Sequence, residues 1–125
     1  MENDLQTGTI RVSGIEVEVA GASNDLYFQQ CLERREIFEP SVRIADLVLP
    51  NDPVILDIGA SIGAVTAALA KRFPSGHVIA FEAAPSVHPS LRETVRLASG
   101  APVTVVEKGV GAESGTRRFH EDGNG

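Results

Sequence analysis

The N-terminal part of the chain alternates between apolar and polar residues. From Thr9 to Val19 almost every second residue is apolar, and Ser13-Gly14 interrupts the run and shifts its phase. This pattern is typical of a hairpin turn between two half-buried strands. Apolar residues at helical spacing follow, first from Asn24 or Asp25 to about Glu36, and then in a short segment with Ser41 as the expected cap.

Longer apolar runs begin after a turn at 50–53. Three of them have the length of short strands and are apolar on both faces apart from Asp57, as expected at the centre of a parallel sheet: Val54–Ile58, Val78–Phe81 and Val103–Val106. The intervening segments, 62–73 and 86–97, have helical spacing, and Ser86 is the expected cap of the second. The order β-α-β-α-β predicts half of a doubly wound sheet. Right-handed crossovers would arrange its strands as third, second, first.

These elements predict an α/β fold with two parts. Residues 1–50 form an N-terminal hairpin and helical lead-in, and residues 51–125 form a partial, three-layer Rossmann-like domain. Thr116–His120 is a further strand candidate, but it is too polar for a central position. The first parallel strand would therefore keep one unpaired edge, and an open apolar edge favours self-association.

Composition and charge narrow the function. The chain has 125 residues and a net charge of −6, which argues against nucleic-acid binding because a phosphate footprint needs clustered Lys and Arg. Cys31 is the only cysteine and is expected to be a buried thiol, so no internal disulfide can form. The acidic, polar N-terminus is unlike a secretory signal, and no apolar run approaches the ~20 residues that cross a bilayer. We expect a cytoplasmic protein that does not bind membranes.

The candidate chemistry lies where the first parallel strand meets its helix. Gly59 lets the chain leave the strand sharply, where a Cβ would clash, and Gly63 lets the helix pack against the strand or a ligand approach closely. A helix that begins near Ser61 offers unpaired N–H groups to an anionic group. Glu82 follows Gly63 by 19 residues, close to the spacing of about 20 for an acid that binds a ribose. The sequence thus predicts a nucleotide pocket.

Asp57 favours one class of nucleotide ligand. A dinucleotide would place a pyrophosphate at this turn, and an adjacent carboxylate would repel it. S-adenosyl-L-methionine carries an ammonium and a sulfonium, which a carboxylate attracts. Ser61 and Ala64 also stand at the second and third glycine positions of G-x-G-x-x-G. Because an unpaired buried carboxylate is costly, we expect Asp57 to reach the turn backbone or a cationic group of the ligand.

The same residues carry a family resemblance. Asp57–Gly63 resembles motif I of class I S-adenosylmethionine-dependent methyltransferases, and more narrowly the Asp-Val-Gly-Ala-Asn-Ile-Gly turn of the FkbM family. Val78–Pro85 is similar to that family's strand ending in Phe-Glu-Pro-Asn-Pro. Val103–Gly111 is similar to its third strand and the turn that follows. The resemblance runs from about Glu39 to Phe119.

The resemblance implies a function and a set of cofactor-binding residues. It implies O-methylation of a small-molecule or sugar hydroxyl, with S-adenosyl-L-methionine as the methyl donor, no metal and no assigned catalytic base. The residues it assigns to the cofactor fall into four groups. These are Asp57, Gly59, Ala60, Ser61 and Gly63 at the methionine end, Glu82 at the ribose, Ala83, Lys108 and Gly109 around the adenine, and Glu39 in an upstream acidic segment.

Two alternatives remain open. A methyltransferase core has about seven strands, and three are predicted here, so the chain could be a truncated, non-catalytic cofactor-binding module. Gly59–Gly63 also matches G-x-S-x-G, the nucleophile elbow of α/β-hydrolases, with Ser61 as the nucleophile. The hydrolase is less favoured because His77, His88 and His120 are expected at the surface or at helix caps rather than as catalytic bases.

Overall fold

The computed structural model describes residues 4–121, and in this range the chain is an α/β fold with two three-stranded sheets and four α-helices. The first three residues and the last four, which belong to the predicted N- and C-terminal parts, lie outside it. The strands are β1 (Leu5–Val12), β2 (Ile15–Ala22), β3 (Glu36–Ile37), β4 (Val54–Ile58), β5 (His77–Phe81) and β6 (Val103–Val106). The helices are α1 (Leu26–Arg34), α2 (Pro40–Val48), α3 (Ala64–Arg72) and α4 (His88–Leu97).

The N-terminal hairpin is confirmed. β1 and β2 pair antiparallel with Val12 opposite Ile15, and the two turn residues have φ of +48° at Ser13 and +86° at Gly14. Two consecutive left-handed residues give the turn the twist that a two-residue hairpin needs. β3 adds a short parallel pairing on the other side of β1, so the first sheet is mixed.

The two N-terminal helices form near their predicted positions, with one change of cap. Asp25 caps α1 as expected, accepting a hydrogen bond from the Phe28 N–H at 3.1 Å. Ser41 is not the cap of α2. The helix begins at Pro40, whose missing N–H is tolerated in the first turn, and the Glu39 carboxylate accepts from the Ser41 N–H at 3.4 Å.

The parallel sheet has the predicted strand order, β4-β5-β6. Its two crossover helices, α3 and α4, lie on one face, where Val78 and Ala80 of β5 are buried. The far side of the same helices packs against the hairpin. The third layer is therefore the N-terminal sheet rather than a further set of helices.

Three expectations about the C-terminal part are wrong. The outer face of β4 is open, with Val54, Leu56 and Ile58 exposed by 70%, 55% and 60%, because the described helices and the hairpin all lie on the opposite side. Ser86 does not cap α4, since a 3-10 turn at Pro85–Val87 leads into the helix without a side-chain cap. Thr116–His120 has no strand structure.

Cys31 is buried as a free thiol, as expected. Between residues 4 and 121, none of the helices has the length and apolar character required to cross a membrane.

Candidate functional site

The glycine turn leaves the end of β4 and is fixed to the end of β5. The N–H groups of Gly59 and Ala60 both donate to the Phe81 carbonyl at 2.9 Å. Gly59 has φ of +82°, and a Cβ built on it would meet no atom within 4 Å. The expected clash at Gly59 is therefore wrong. Glycine is favoured here by the left-handed backbone, and the space beside it is open.

Gly63 is needed for close packing. It caps α3 with φ of +93°, and an added Cβ would lie 2.9 Å from Leu91 Cδ1 and 3.1 Å from Thr94 Cγ2. Its close neighbour is thus α4, not the strand that the sequence suggested. Because α3 begins at Ala64, the helix also starts three residues later than the expected start near Ser61.

Glu82 joins the glycine turn to the loop before α4. One carboxylate oxygen accepts from the Ser61 N–H at 2.7 Å, and the other accepts from the Ala84 N–H at 2.9 Å. The main-chain N–H of Glu82 donates to the Val106 carbonyl at 3.1 Å. A carboxylate has about four lone-pair sites, so the two that remain can accept from hydroxyls of a ligand.

Asp57 faces the helix side of the sheet and is partly buried. Its carboxylate accepts a hydrogen bond from the Thr66 hydroxyl of α3, so the expected contact with the turn backbone is replaced by a side-chain contact. Burial raises the pKa of Asp57, Thr66 opposes that rise, and the charges of Glu39 and Glu82 add to it. An Asp57 carboxylate under these influences favours a cationic group of a ligand.

These carboxylates are not arranged as a metal site. In the part of the chain that the structure describes, no set of three His, Cys, Asp or Glu side chains could hold a metal ion.

The three residues predicted around the adenine lie together. Ala83, Lys108 and Gly109 line a cavity of about 940 Å³ at the carboxyl ends of β5 and β6. A Cβ added to Gly109 would lie 3.3 Å from the Ala83 Cβ, so the two loops approach closely. The structure therefore brings the predicted residues together in two groups, the turn with Glu82 and the cavity with Ala83. Glu39 is in neither group, because its carboxylate caps α2 at Ser41.

Three residues at this site have no cofactor role in the sequence prediction. His88 is in the first turn of α4 as expected, but it is only 8% exposed and hydrogen-bonds the Glu82 carbonyl, so it is not at the surface. Glu107 follows β6 and contacts Arg92. Thr66 could have been found as the polar residue among the alanines that follow the turn, whereas nothing in the local pattern marks His88 or Glu107.

Comparison with known proteins gives one partial similarity. No family model matches the chain. Over 83 residues, which are 66% of the chain, it is 37% identical to the AMB antimetabolite synthetase AmbE of Pseudomonas aeruginosa. The chain covers only 3% of the length of that synthetase. The similarity is to a short segment of a much longer protein.

Proposed function

We propose that this chain binds S-adenosyl-L-methionine as part of an FkbM-type methyltransferase that modifies a hydroxyl of a small molecule or sugar. The observation that carries the proposal is the Glu82 carboxylate. Two backbone N–H groups hold it beside the glycine turn, with lone pairs left for ribose hydroxyls. Asp57 stands on the strand immediately before that turn.

The chemical character of the two residue groups fits this cofactor. The carboxylates of Asp57 and Glu39 favour the ammonium and sulfonium of the methionine end. Gly59 leaves open space at the turn, and Ala60 and Ser61 follow it along the chain, whereas Gly63 packs against α4. Beyond Glu82, the cavity beside Ala83, Lys108 and Gly109 has room for a purine.

The reaction would be a methyl transfer that needs little covalent chemistry from the protein. An acceptor oxygen forms a bond to the methyl carbon as the carbon–sulfur bond breaks, and the hydroxyl proton is released to a base or to water. The chain's own contribution would be to hold the donor in one orientation and to keep water from it, since alignment supplies much of such a rate. We assign no catalytic base.

The partial similarity to the synthetase supports a small-molecule acceptor, because that protein is named for making an antimetabolite. The alternative is a cofactor-binding module without its own catalysis. Both alternatives require the same cofactor site.

A hydrolase is the second candidate function, favoured by one observation. Ser61 has φ of +54°, and a strained serine between a strand and a helix is the geometry of a nucleophile elbow. However, His77 bonds Thr104, and His88 bonds the Glu82 carbonyl, so neither is placed as a base for Ser61. Labelling of Ser61 by a fluorophosphonate probe would favour the hydrolase.

Calorimetric titration with S-adenosylhomocysteine tests the cofactor site. The unchanged chain should bind. Glu82→Ala and Gly59→Val should each weaken binding by about tenfold or more, because the first removes the carboxylate and the second adds a side chain to a left-handed residue of the turn. Glu93→Ala is the matched control, since Glu93 pairs with Arg96 on α4. No binding by the folded, unchanged chain would reject the cofactor site. Binding unaffected by both substitutions would reject the assigned residues.

We also propose that the chain self-associates through the open edge of β4. In the described sheet β4 pairs only with β5, and its exposed positions are all apolar. A second copy can pair with this edge about a two-fold axis, because an antiparallel pair of identical strands is self-complementary.

A further inference from the structure

His88 lies between the ends of two strands of the candidate site. It is the first residue of α4, and its Nε2 is 2.8 Å from the Glu82 carbonyl oxygen. A carbonyl oxygen can only accept, so Nε2 carries the hydrogen. The other ring nitrogen, Nδ1, is 3.7 Å from Oε1 of Glu107 at the end of β6.

Glu107 is held as an anion on the other side of the ring. It contacts the Arg92 guanidinium, and that hydrogen bond is the main reason why the pKa of Glu107 lies below its ordinary value. The imidazole therefore has a carbonyl oxygen at one nitrogen and a carboxylate near the other. It lies between the end of β5, where Glu82 is hydrogen-bonded to it, and the end of β6, where Glu107 precedes Lys108 and Gly109.

The hydrogen bond from His88 to the Glu82 carbonyl affects the direction in which the Glu82 carboxylate points. The main-chain N–H of Glu82 is fixed by Val106, and the carbonyl is fixed by His88. With both backbone groups fixed, the side chain leaves the strand in one direction, toward the Ser61 and Ala84 N–H groups. Loss of the histidine bond would remove one of the two backbone anchors of Glu82.

We propose that His88 is a positioning residue of the cofactor site. It holds the Glu82 carboxylate against the glycine turn through the bond to the Glu82 carbonyl. This inference rests on the proposed function for the meaning of the site, but the positioning itself is a property of the free protein. An apolar residue of similar size would fill the space and leave the Glu82 carbonyl without its partner, at a cost in free energy.

Two polar variants separate positioning from packing. In His88→Gln the side-chain amide can reach the place of Nε2 and still donate to the Glu82 carbonyl. In His88→Asn the amide is one methylene shorter and cannot. His77→Gln is the matched control, because His77 lies at the opposite end of β5 and bonds Thr104. The first readout is hydrogen exchange of the Ser61 and Ala84 amides, and the second is calorimetric binding of S-adenosylhomocysteine.

We expect the Gln variant and the His77→Gln control to keep exchange and affinity within about threefold of the unchanged chain. The Asn variant should exchange both amides about tenfold faster and bind about tenfold more weakly, as loss of one partly buried hydrogen bond implies. Wild-type exchange and affinity in both His88 variants would overturn the proposal. Equal losses in both would also overturn it, because the ring would then act only by packing.

Exchange keeps this inference separate from the proposed function. If the unchanged chain does not bind S-adenosylhomocysteine, the proposed function fails, and amide exchange in the free protein still tests His88. If the Asn variant does not fold, the imidazole nitrogen shifts of the unchanged protein supply the test. A proton on Nε2 supports the assigned bond, and an unprotonated Nε2 overturns it.

Discussion

At the scale of single residues, the Asp57 carboxylate favours binding of a cation but lowers the stability of the fold. Its partly buried carboxylate has a raised pKa, mainly because burial disfavours the charged form. Charge repulsion from Glu39 and Glu82 acts in the same direction. A group retained at such a cost is typical of functional sites, and it matches a site that receives a cation.

This cost predicts the pH dependence of Asp57→Asn. The folded-state pKa of Asp57 is above its ordinary value of 3.8. In the pH range between these two pKa values, the folded state therefore binds more protons than the unfolded state. The stability of the unchanged chain therefore falls as the pH rises through this range. Above the folded-state pKa, the full free-energy cost of burying the charged carboxylate is present. The Asn variant should be more stable at neutral pH by on the order of 1 kcal/mol, with the difference fading toward acid.

Urea unfolding at several pH values measures this difference. Asp52→Asn is the control, because Asp52 is exposed in the turn before β4 and its substitution should leave stability unchanged. The Asp57 variant should also lose affinity for S-adenosylhomocysteine. An Asn variant that is less stable than the unchanged chain at neutral pH contradicts the assigned cost of burial.

At the scale of secondary structure, α3 depends on the absence of a side chain at its cap. Gly63→Ala places a Cβ in a left-handed residue and against Leu91 and Thr94. We expect a loss of roughly 3 kcal/mol in the free energy of unfolding, from backbone strain together with overpacking. Gly14→Ala is the matched control, since Gly14 has φ of +86° with nothing within 4 Å of an added Cβ.

The control should lose only about 1 kcal/mol, from the backbone alone. Denaturant unfolding of both variants measures the difference. Equal losses would mean that α4 moves aside, and that close packing is not the reason for glycine at position 63.

The elements also show how far the sequence could predict this fold and its site. The hairpin and the β4-β5-β6 order follow from local periodicity and right-handed crossovers, and both are confirmed. Parallel strands end at one edge, so the glycine turn and Glu82 could be placed together from their spacing. His88 could not, because its partners come from the ends of two strands and no local pattern records that meeting. The two predicted serine caps are wrong, because Glu39 caps α2 ahead of Pro40 and a 3-10 turn at Pro85–Val87 leads into α4.

At the scale of the whole molecule, the fold leaves one sheet face without a cover in the described residues. The helices and the hairpin lie on the other side, so the apolar pattern of β4 predicted burial that its surroundings do not supply. Parallel sheets are ordinarily covered on both faces. Lysine and proline are the residues that usually prevent pairing at a sheet edge. The edge strand β4 has neither at its exposed positions.

The open edge of β4 predicts self-association of the chain that depends on protein concentration and on salt. The net charge of −6 makes copies repel at low ionic strength, and screening weakens that repulsion. Sedimentation velocity should therefore show more dimer as protein concentration or salt rises. Leu56→Lys should suppress the dimer, because it places a charge on the open edge strand at a position that is 55% exposed. Leu47→Lys on α2, where Leu47 is 78% exposed, should leave the dimer intact. A stable monomer at every concentration and salt level contradicts pairing through β4, and equal suppression by both variants would assign the association to general surface hydrophobicity instead.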